Sequence, residues 1–416
     1  MSRVQRLPGD LANQIAAGEV VERPASAVKE LVENALDAGA TRVKVELERG
    51  GTALIRVSDD GGGMDAEDAS LSLERHATSK LHHLDDLFAL ATFGFRGEAL
   101  PSIASVAKLR LVTRARGQDE GTEVVVEGGG PIRSRPTGAA EGTSVDVRDL
   151  FFNVPARRKF LKSTATEAAH VSEAMLLAAL SRPEVSFFLV RDGRAAREWL
   201  RAATRQERTS QAFEDESLVA CLAERGPMRV EAYLAPPERA RAGAAGLHLL
   251  VNGRPVRDRP LARAVAQAFG SVLEPGRYPV GVVYVELPPA EVDVNVHPRK
   301  AEVRFAEGRA LFDAITRELH KAMAQAFSLP SLGASRAWPG AAGPRPFEHF
   351  GTRASPVTTG GDASGEADPW QLVSTDLPAA GSLSEGSPFT SEGAPAGPQL
   401  FEGVGFYAKL EFLGQV

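Results

Sequence analysis

The sequence predicts an α/β fold, an α+β sandwich in which a mixed β-sheet is backed by helices. Three observations support this prediction. Helical and strand patterns alternate through the first 330 residues of the 416-residue chain, two alternating segments are joined by a short turn, and strand patterns recur between the later helices. The elements form two units, with a boundary predicted near residue 215.

The first helix is predicted over residues 24–38. A proline suits its first turn, where the missing N–H costs no hydrogen bond, and Gly39 suits the cap at its C-terminus. Residues 42–47 alternate apolar and charged side chains, which predicts a half-buried strand. A glycine-rich turn over residues 48–51 then predicts that residues 53–58 return as an antiparallel strand.

The same periodicities predict six later elements. These are helices over residues 166–180, 261–269 and 310–327, and strands over residues 247–251, 280–287 and 292–296. Residues 331–400 are rich in proline, glycine and serine and show no periodic apolar pattern, so a disordered linker is predicted there. Residues 401–416 alternate again and resemble the opening strand of a further domain.

Composition excludes several classes of protein. Hydrophobic residues make up 43% of the chain and charged residues 25%, which is typical of a soluble globular protein. The single cysteine, Cys221, allows neither an internal disulfide nor a thiolate metal cluster, and we expect it in a core. No apolar stretch predicts a membrane span or a secretory signal, so a cytoplasmic protein is expected. The net charge of −6 argues against a small dedicated nucleic-acid binder but allows a local basic patch.

The first candidate site lies on the first predicted helix. Glu30 and Asn34 are four residues apart, so they project from one face of the helix. A carboxylate can activate a water molecule, and a neutral carboxamide oxygen can bind Mg²⁺. On spacing alone, a solvated polar face is the commoner interpretation of such a pair.

A second candidate follows the returning strand. Asp59 is placed to accept a hydrogen bond from an exocyclic amine, and the glycines after it, including Gly61 and Gly63, allow a flat ring to approach the backbone. A tight turn is the simpler interpretation, because aspartate and glycine both favour turns.

A third candidate is the segment 92–100, where two glycines flank an arginine before a helical pattern. Backbone N–H groups at such a helix start can bind phosphate, although a flexible loop is the alternative. Residues 76–80 add hydroxyls and an ammonium group upstream, and residues 141–144 add a glycine and hydroxyls before a strand. The phosphate loop GxxxxGK[ST] does not occur in the chain.

Taken in order, these motifs resemble the four signatures of the GHKL ATPase superfamily. The motifs are Glu30 with Asn34, Asp59-x-Gly61-x-Gly63, Gly94-Phe95-Arg96-Gly97, and Gly142-Thr143. Longer strings resemble the MutL branch of the superfamily. These strings lie at residues 15–24, 29–40, 75–80, 94–100, 155–161, 251–254 and 292–298. The resemblance covers residues 1–328 and implies ATP and Mg²⁺ as cofactors.

The resemblance implies a role for each matching residue. Glu30 would be the general base for the attacking water, and Asn34 the Mg²⁺ ligand. Asp59 would bind the adenine amino group, with help from Thr143. The other residues placed at the nucleotide are Asp37, Gly61, Gly63, and the lid residues Thr78, Ser79, Lys80, Gly94, Phe95, Arg96 and Gly97.

Two positions qualify this assignment. Lys300 follows His297-Pro298 in the second unit, and the resemblance implies that it reaches the γ-phosphate; an exposed strand-end lysine is the alternative. Asp60 stands where the family usually has asparagine, and we expect little effect, although an added negative charge near the phosphates would weaken ATP binding.

The pair His82-His83 is interpreted as solvated, because adjacent helical residues point apart and no further ligands lie at metal spacing.

The resemblance also implies partners. These are a MutS-type mismatch sensor, a downstream nuclease or helicase, a second copy of the chain once ATP is bound, and DNA contacted through its phosphates without sequence preference. Basic residues in two runs are the DNA-binding candidates. They are Arg157, Arg158, Lys159, Arg254, Arg257 and Arg259.

The predicted organisation is therefore a GHKL ATPase domain over 1–215, a transducer domain over 216–330, the linker, and a stub at 401–416. We expect the family's C-terminal dimerisation domain to be missing, and its metal endonuclease motif is absent, so no nuclease is predicted. Two alternatives differ in function. One is another enzyme of the superfamily, such as a topoisomerase subunit or a kinase, and the other is a module that binds ATP without cleaving it.

Overall fold

Two β-sheets, each packed against helices, make up the described part of the chain. The computed structural model describes residues 17–18, 20–75, 77–79, 97–214, 216–293 and 304–328, and all of them belong to one unit. The predicted linker and the segment 401–416 lie outside the described residues. The mixed α/β architecture confirms the predicted fold class.

The larger sheet has eight strands. In chain order they are β1 (Arg42–Glu48), β2 (Leu54–Asp59), β3 (Lys108–Arg114), β4 (Gly121–Glu127), β5 (Arg133–Thr137), β6 (Gly142–Arg148), β7 (Ser186–Arg191) and β8 (Arg194–Trp199). They lie side by side in the order β5-β4-β3-β6-β2-β1-β7-β8. The pair β1–β7 is parallel and β1–β2 is antiparallel, so the sheet is mixed and the predicted hairpin is confirmed. Strands β3, β4 and β5, which form two further hairpins, were not predicted from the sequence.

Six helices accompany this sheet. They are α1 (Pro24–Asp37), α2 (Ala66–Leu71), α3 (Ala99–Val106), α4 (Pro155–Phe160), α5 (Thr164–Ser181) and α6 (Arg205–Ala212). Helix α1 begins at the predicted proline, and Gly39 follows its cap with φ 73°. Helix α5 begins two residues before the predicted start, because the Ser163 hydroxyl accepts a hydrogen bond from the N–H of Thr166 at 3.3 Å and caps the first turn.

The first core lies between this sheet and its helices. The alternation in β1 buries Val43, Val45 and Leu47, which are at most 2% exposed. They belong to one apolar cluster with Leu31 of α1 and Met175 of α5. Burial of this apolar stripe fixes the rotation of α1 about its axis, and the polar residues of α1 are therefore held on the flank of the stripe.

The second sheet has five strands. They are β9 (Val219–Arg225), β10 (Met228–Leu234), β12 (Leu247–Val251), β13 (Arg254–Val256) and β15 (Gly281–Glu286), in the order β13-β12-β15-β10-β9. Short strands form two further pairs, β11 (Arg241–Ala242) with β14 (Arg277–Tyr278) and β16 (Val292–Asp293) with β17 (Arg304–Phe305). The predicted strands 247–251 and 280–287 are confirmed, whereas 292–296 is described only as far as Asp293.

Two helices pack on the second sheet, α7 (Arg259–Ala268) and α8 (Gly308–Phe327). Helix α7 begins two residues earlier than predicted, because the Asp258 carboxylate accepts a hydrogen bond from the N–H of Leu261 at 2.6 Å. Cys221 is 2% exposed in this second core, which confirms the prediction made for it. Single 3₁₀ turns lie at Arg49–Gly51, Pro237–Arg239, Ala244–Gly246, Gly270–Val272 and Pro289–Glu291.

A buried polar junction joins the two sheets through α6. The Tyr284 hydroxyl of β15 donates to the carbonyl of Leu180 at 3.2 Å. Arg208 of α6 is fully buried and donates to the carbonyls of Pro183 and Val185 at 2.7 and 2.6 Å. The Tyr284 bond ties the end of α5 to the second sheet, and the Arg208 bonds tie α6 to the segment between α5 and β7. The domain boundary near residue 215 stays a prediction; helix α6 ends at Ala212.

Candidate functional site

Helix α1 carries one polar stripe beside its buried face. Glu30, Asn34 and Asp37 are spaced four and three residues apart, so the helical period places them in a single row. All three are half-buried. Among the described residues Glu30 forms no hydrogen bond or ion pair. A half-buried carboxylate without a protein partner is available to a water molecule or a ligand.

Asp59 ends strand β2 next to the start of β6. Its carboxylate accepts a hydrogen bond from the N–H of Gly61 at 2.9 Å, and its backbone pairs with Thr143. Burial, together with the charge of Asp60, raises the pKa of Asp59 to about 6, although N–H groups of Gly61 and Thr143 act to lower it. Asp59 therefore carries a costly negative charge at neutral pH, and a donor such as an exocyclic amine would compensate it.

The loop after Asp59 is packed between α1 and β3. The N–H of Gly62 donates to the carbonyl of Ala38 at 2.9 Å, which ties the loop to the end of α1. Gly63 has φ 67°, and a Cβ there would lie 2.6 Å from the carbonyl carbon of Arg114. The glycines were predicted to let a ligand approach the backbone; close contact between backbone segments is a further reason for a glycine at position 63.

Asp60 is engaged by the start of β1. Its carboxylate accepts hydrogen bonds from the N–H groups of Thr41 and Arg42, both at 2.8 Å, and from the Thr41 hydroxyl at 2.6 Å. Burial acts to raise the pKa of Asp60, but these hydrogen bonds outweigh it and lower the pKa. The negative charge of Asp60 is therefore compensated by hydrogen bonds from the chain itself; its effect on ATP binding stays a prediction.

Thr113 of β3 contacts residues of the candidate site, and it was not predicted from the sequence. It is fully buried, and its hydroxyl lies 3.0 Å from the Thr143 hydroxyl. The same hydroxyl accepts a hydrogen bond from the N–H of Met64 at 2.9 Å and contacts the carbonyl of Gly142 at 3.1 Å. Thr113 thus connects the glycine loop to the start of β6. A threonine in an alternating strand carries no signal of such a role.

The two predicted lid motifs meet at their described ends. A Cβ on Gly97, which has φ 60°, would lie 2.9 Å from the carbonyl carbon of Ala77 and 3.2 Å from the Cβ of Thr78. Helix α3 begins directly afterwards, at Ala99. Thr78 is half-buried and Ser79 is exposed. Lys80, Gly94, Phe95, Arg96 and Lys300, as well as the pair His82-His83, lie outside the described residues.

The DNA-binding candidates divide into exposed and half-buried residues. Arg158, Lys159, Arg257 and Arg259 are exposed. Arg157 is half-buried. Its guanidinium lies against Gly18, which belongs to the N-terminal arm (residues 2–22): a Cβ on Gly18 would lie 2.8 Å from the guanidinium carbon.

Arg254 is also half-buried, at the start of β13. Burial lowers the pKa of Arg254, whereas the charges of Glu33 and Asp37 on α1 act to raise it. Arg254 therefore lies within electrostatic reach of the polar face of α1.

No cluster of three or more histidine, cysteine, aspartate or glutamate side chains suited to a metal ion was found among the described residues. No described helix has the length and hydropathy needed to cross a membrane.

Comparisons with known proteins identify the class to which the fold belongs. The family model "Histidine kinase-, DNA gyrase B-, and HSP90-like ATPase" matches residues 22–127, and the model "DNA mismatch repair protein, C-terminal domain" matches residues 207–324. The structure titled "Aquifex aeolicus MutL ATPase domain complexed with ADP" is similar, with a TM-score of 0.50 and 34% identity over 65% of this chain and 94% of that one. Fold and site therefore define a GHKL-type ATPase.

Two related proteins identify the family within this class. The DNA mismatch repair protein MutL of Anaeromyxobacter dehalogenans is 47% identical over 433 aligned positions, which cover all of this chain and 70% of the relative. MutL of Trichlorobacter lovleyi is 52% identical over 312 positions, which cover 75% of this chain and 53% of the relative. The chain belongs to the MutL family of DNA mismatch repair proteins.

Proposed function

We propose that the chain binds ATP with Mg²⁺ and hydrolyses it slowly, with Glu30 as the general base. The observation that carries this proposal is the carboxylate of Glu30, which has no partner among the described residues and lies on a helix whose end is tied to the loop after Asp59. Eight residues separate Glu30 from Ala38, or about 12 Å along a helix. A nucleotide whose adenine binds at Asp59 would extend its phosphates along the polar stripe toward Glu30.

Each side chain of the site has a distinct part in the proposed reaction. Glu30 accepts the proton of the water that attacks the γ-phosphate, and Asn34 offers a carboxamide oxygen to Mg²⁺, which would neutralise phosphate charge when bound. Asp59 holds the adenine amine, while Thr143 and Gly61 shape the pocket around it. Thr78, Ser79, Lys80, Gly94, Phe95, Arg96 and Gly97 close over the phosphates, with Lys300 contributing a cation from the second unit.

The nucleotide cycle then drives a clamp. ATP closes the lid and orders the N-terminal arm, two chains associate through their front domains, and hydrolysis releases them. The contact between Gly18 and Arg157 supports this proposal, since it links the arm to α4. In the cytoplasm, the clamp would couple a MutS-type sensor to a downstream nuclease or helicase, with DNA held through phosphate contacts.

Single-turnover hydrolysis tests the proposal. Glu30→Gln should bind a fluorescent ATP analogue as tightly as wild type does. It should release phosphate more slowly than wild type, by a factor of at least about 100. Glu67→Gln, at an exposed position on α2, is the matched control and should behave as wild type. Normal turnover by Glu30→Gln would refute the general-base assignment. If wild type bound the analogue but released no phosphate, the chain would be a nucleotide-binding module instead. Sedimentation with a non-hydrolysable analogue tests the association of two chains.

A further inference from the structure

Helix α6 begins with a fixed first turn. The Thr204 hydroxyl accepts a hydrogen bond from the N–H of Glu207 at 3.1 Å, and the Glu207 carboxylate accepts one from the N–H of Ala203 at 2.8 Å. This reciprocal cap satisfies two N–H groups that the start of a helix would otherwise leave without partners. Arg205 and, one turn later, Arg208 therefore project from a well-ordered backbone.

Arg205 binds the second sheet. One guanidinium nitrogen donates to Glu231 Oε2 at 3.0 Å, and the other donates to Glu286 Oε1 at 2.5 Å. The guanidinium carbon lies 4.4 Å from the centre of the Tyr284 ring, and Tyr284 is paired with Glu231 across the sheet. Apolar burial is non-directional, whereas a guanidinium fork binds carboxylates in a defined geometry. Arg205 therefore fixes how β10 and β15 lie against α6.

Arg208 binds the other side of the junction. It donates to the carbonyls of Pro183 and Val185 in the segment between α5 and β7. The next residue, Ser186, donates its N–H to the carbonyl of Thr41 at 2.9 Å, where the parallel pair β1–β7 begins. The two arginines of α6 thus join the second sheet to the start of β1.

Thr41 brings these contacts to the candidate nucleotide site. Its N–H and its hydroxyl both donate to the carboxylate of Asp60, and Asp60 directly follows Asp59. Hydrogen bonds and short stretches of chain therefore run without a gap from the second sheet to the proposed adenine-binding residue. A contiguous network between ordered elements can carry coupling free energy between two sites. Its members are Arg205, Arg208, Val185, Ser186, Thr41, Asp60 and Asp59.

We propose that Arg205 is a positioning residue that makes the second sheet respond to nucleotide binding at Asp59. This inference rests on the proposed function and deepens it, because it names the contact through which a bound nucleotide reaches the second unit. A nucleotide that orders the loop after Asp59 also orders the start of β1, which Asp60 holds, and with it the β1–β7 pair and α6. Arg205 passes that order to β10 and β15.

Apolar contacts beneath Arg205 allow a test that leaves the fold intact. Arg205 is 27% exposed, and methionine at this position keeps an apolar side chain near the Tyr284 ring while both ion pairs are lost. Arg205→Met should therefore unfold at nearly the same urea concentration as wild type. The buried cluster that remains between α5 and the second sheet consists of Leu180, Tyr233, Leu250, Val282 and Tyr284.

The single cysteine of the chain reports on the second sheet. Cys221 is 2% exposed on β9 and is paired with Ala232 of β10, so a thiol reagent reaches it only when this part of the sheet opens. In the full-length wild-type chain, a non-hydrolysable ATP analogue should slow the labelling of Cys221 by about 5-fold or more, the size of a typical coupling between two sites.

Arg205→Met should bind the analogue as tightly as wild type, because the second sheet is closed in nearly every molecule, but should lose most of the slowing. Arg205→Lys, which keeps the charge without the fork, should recover part of it. Glu286→Gln removes one carboxylate and should also lose part of the slowing. Lys321→Met is the matched control, since it removes an ion pair with Glu318 on α8, at 2.8 Å, and leaves α6 unchanged.

Equal slowing in wild type and Arg205→Met would overturn the inference, and so would a loss in Lys321→Met as large as that in Arg205→Met. If wild type bound the analogue but Cys221 was labelled at an unchanged rate, the inference alone would fail. A wild-type chain that did not bind the analogue would overturn the nucleotide binding of the proposed function as well.

Discussion

Gly142 lies directly against the backbone of Asp59. A Cβ atom on Gly142 would be 2.9 Å from the carbonyl carbon of Asp59 and closer still to its oxygen. Gly142 also has φ 101°, a backbone conformation that other residues adopt only with strain. The first residue of β6 is therefore a glycine for two independent reasons, and both concern the wall of the proposed adenine pocket.

Gly142→Ala should destabilise the fold by about 3 kcal/mol, from backbone strain and overpacking together. It should also weaken binding of an ATP analogue, because β6 must move away from Asp59. Gly117→Ala is the control: Gly117 has φ 78° and nothing within 4 Å of an added Cβ. That variant should lose only about 1 kcal/mol and keep nucleotide affinity. Equal losses in urea unfolding would show that the contact with Asp59 is unimportant.

Asp59→Asn should separate stability from function. The pKa of Asp59 is raised by burial to about 6, so the folded state holds its proton more tightly than the unfolded chain. Its contribution to stability is present at low pH and is lost as pH rises through about 6. The free energy of unfolding of the asparagine variant should exceed that of wild type by up to about 3 kcal/mol at pH 7.5, with little gain at pH 4, while nucleotide binding is lost.

The same pKa predicts the pH dependence of binding in wild type. Protonation removes the negative charge of Asp59 and occupies one of its two acceptor oxygens. The affinity for an ATP analogue should therefore fall below pH 6. A titration from pH 8 to 5, followed by fluorescence anisotropy, measures this. Unchanged affinity in Asp59→Asn, at any pH, would contradict the adenine-binding role.

Thr113→Val tests the residue that links the glycine loop to β6. Valine keeps the shape of threonine but leaves the N–H of Met64 without its acceptor. The free energy of unfolding should therefore fall by about 1–3 kcal/mol, and nucleotide binding should weaken. Thr122 lies directly opposite Thr113 on β4 and is 7% exposed, so Thr122→Val is the matched control and should change neither quantity. If the two variants behaved alike, the hydroxyl of Thr113 would have no special part in the pocket.

The elements that were predicted correctly from the sequence are those whose structure depends on interactions between neighbouring residues. Helix α1 and the β1–β2 hairpin were predicted to within a few residues, because each is specified by its own caps, turn glycines and apolar period. The glycine loop after Asp59 was also predicted as a unit. The role of Thr113 was not, because its partner Thr143 is thirty residues away in the chain and only the β3–β6 pairing brings them together.

The two runs of basic residues could be interpreted only in part from the sequence. Sequence placed Arg157 with Arg158, and Arg254 with Arg257, but spacing does not show which arginine of each run turns inward. The structure half-buries Arg157 beside Gly18 and Arg254 near α1. The roles of Lys300 and of the lid segment stay predictions, since they depend on residues outside the described ranges.

His248 should make the region between α5 and the second sheet sensitive to acid. It is 7% exposed on β12, with Nδ1 3.4 Å from Glu173 Oε1 and its ring 5.7 Å from that of Phe213. Burial, with help from Arg257, lowers the pKa of His248, although Glu173 acts to raise it. The folded state therefore binds the proton less readily than the unfolded chain, so stability is full above about pH 6.5 and is lost as pH falls further.

His248→Gln removes this titration and should flatten the decline in the guanidinium unfolding midpoint between pH 7.5 and 5. His170→Gln, at an exposed position on α5, should leave the decline as in wild type. Because Asp59 acts in the opposite sense over part of this range, both variants are best compared in the Asp59→Asn background, where the opposing titration of Asp59 is removed. A decline of equal steepness in His248→Gln would assign the acid sensitivity to other groups.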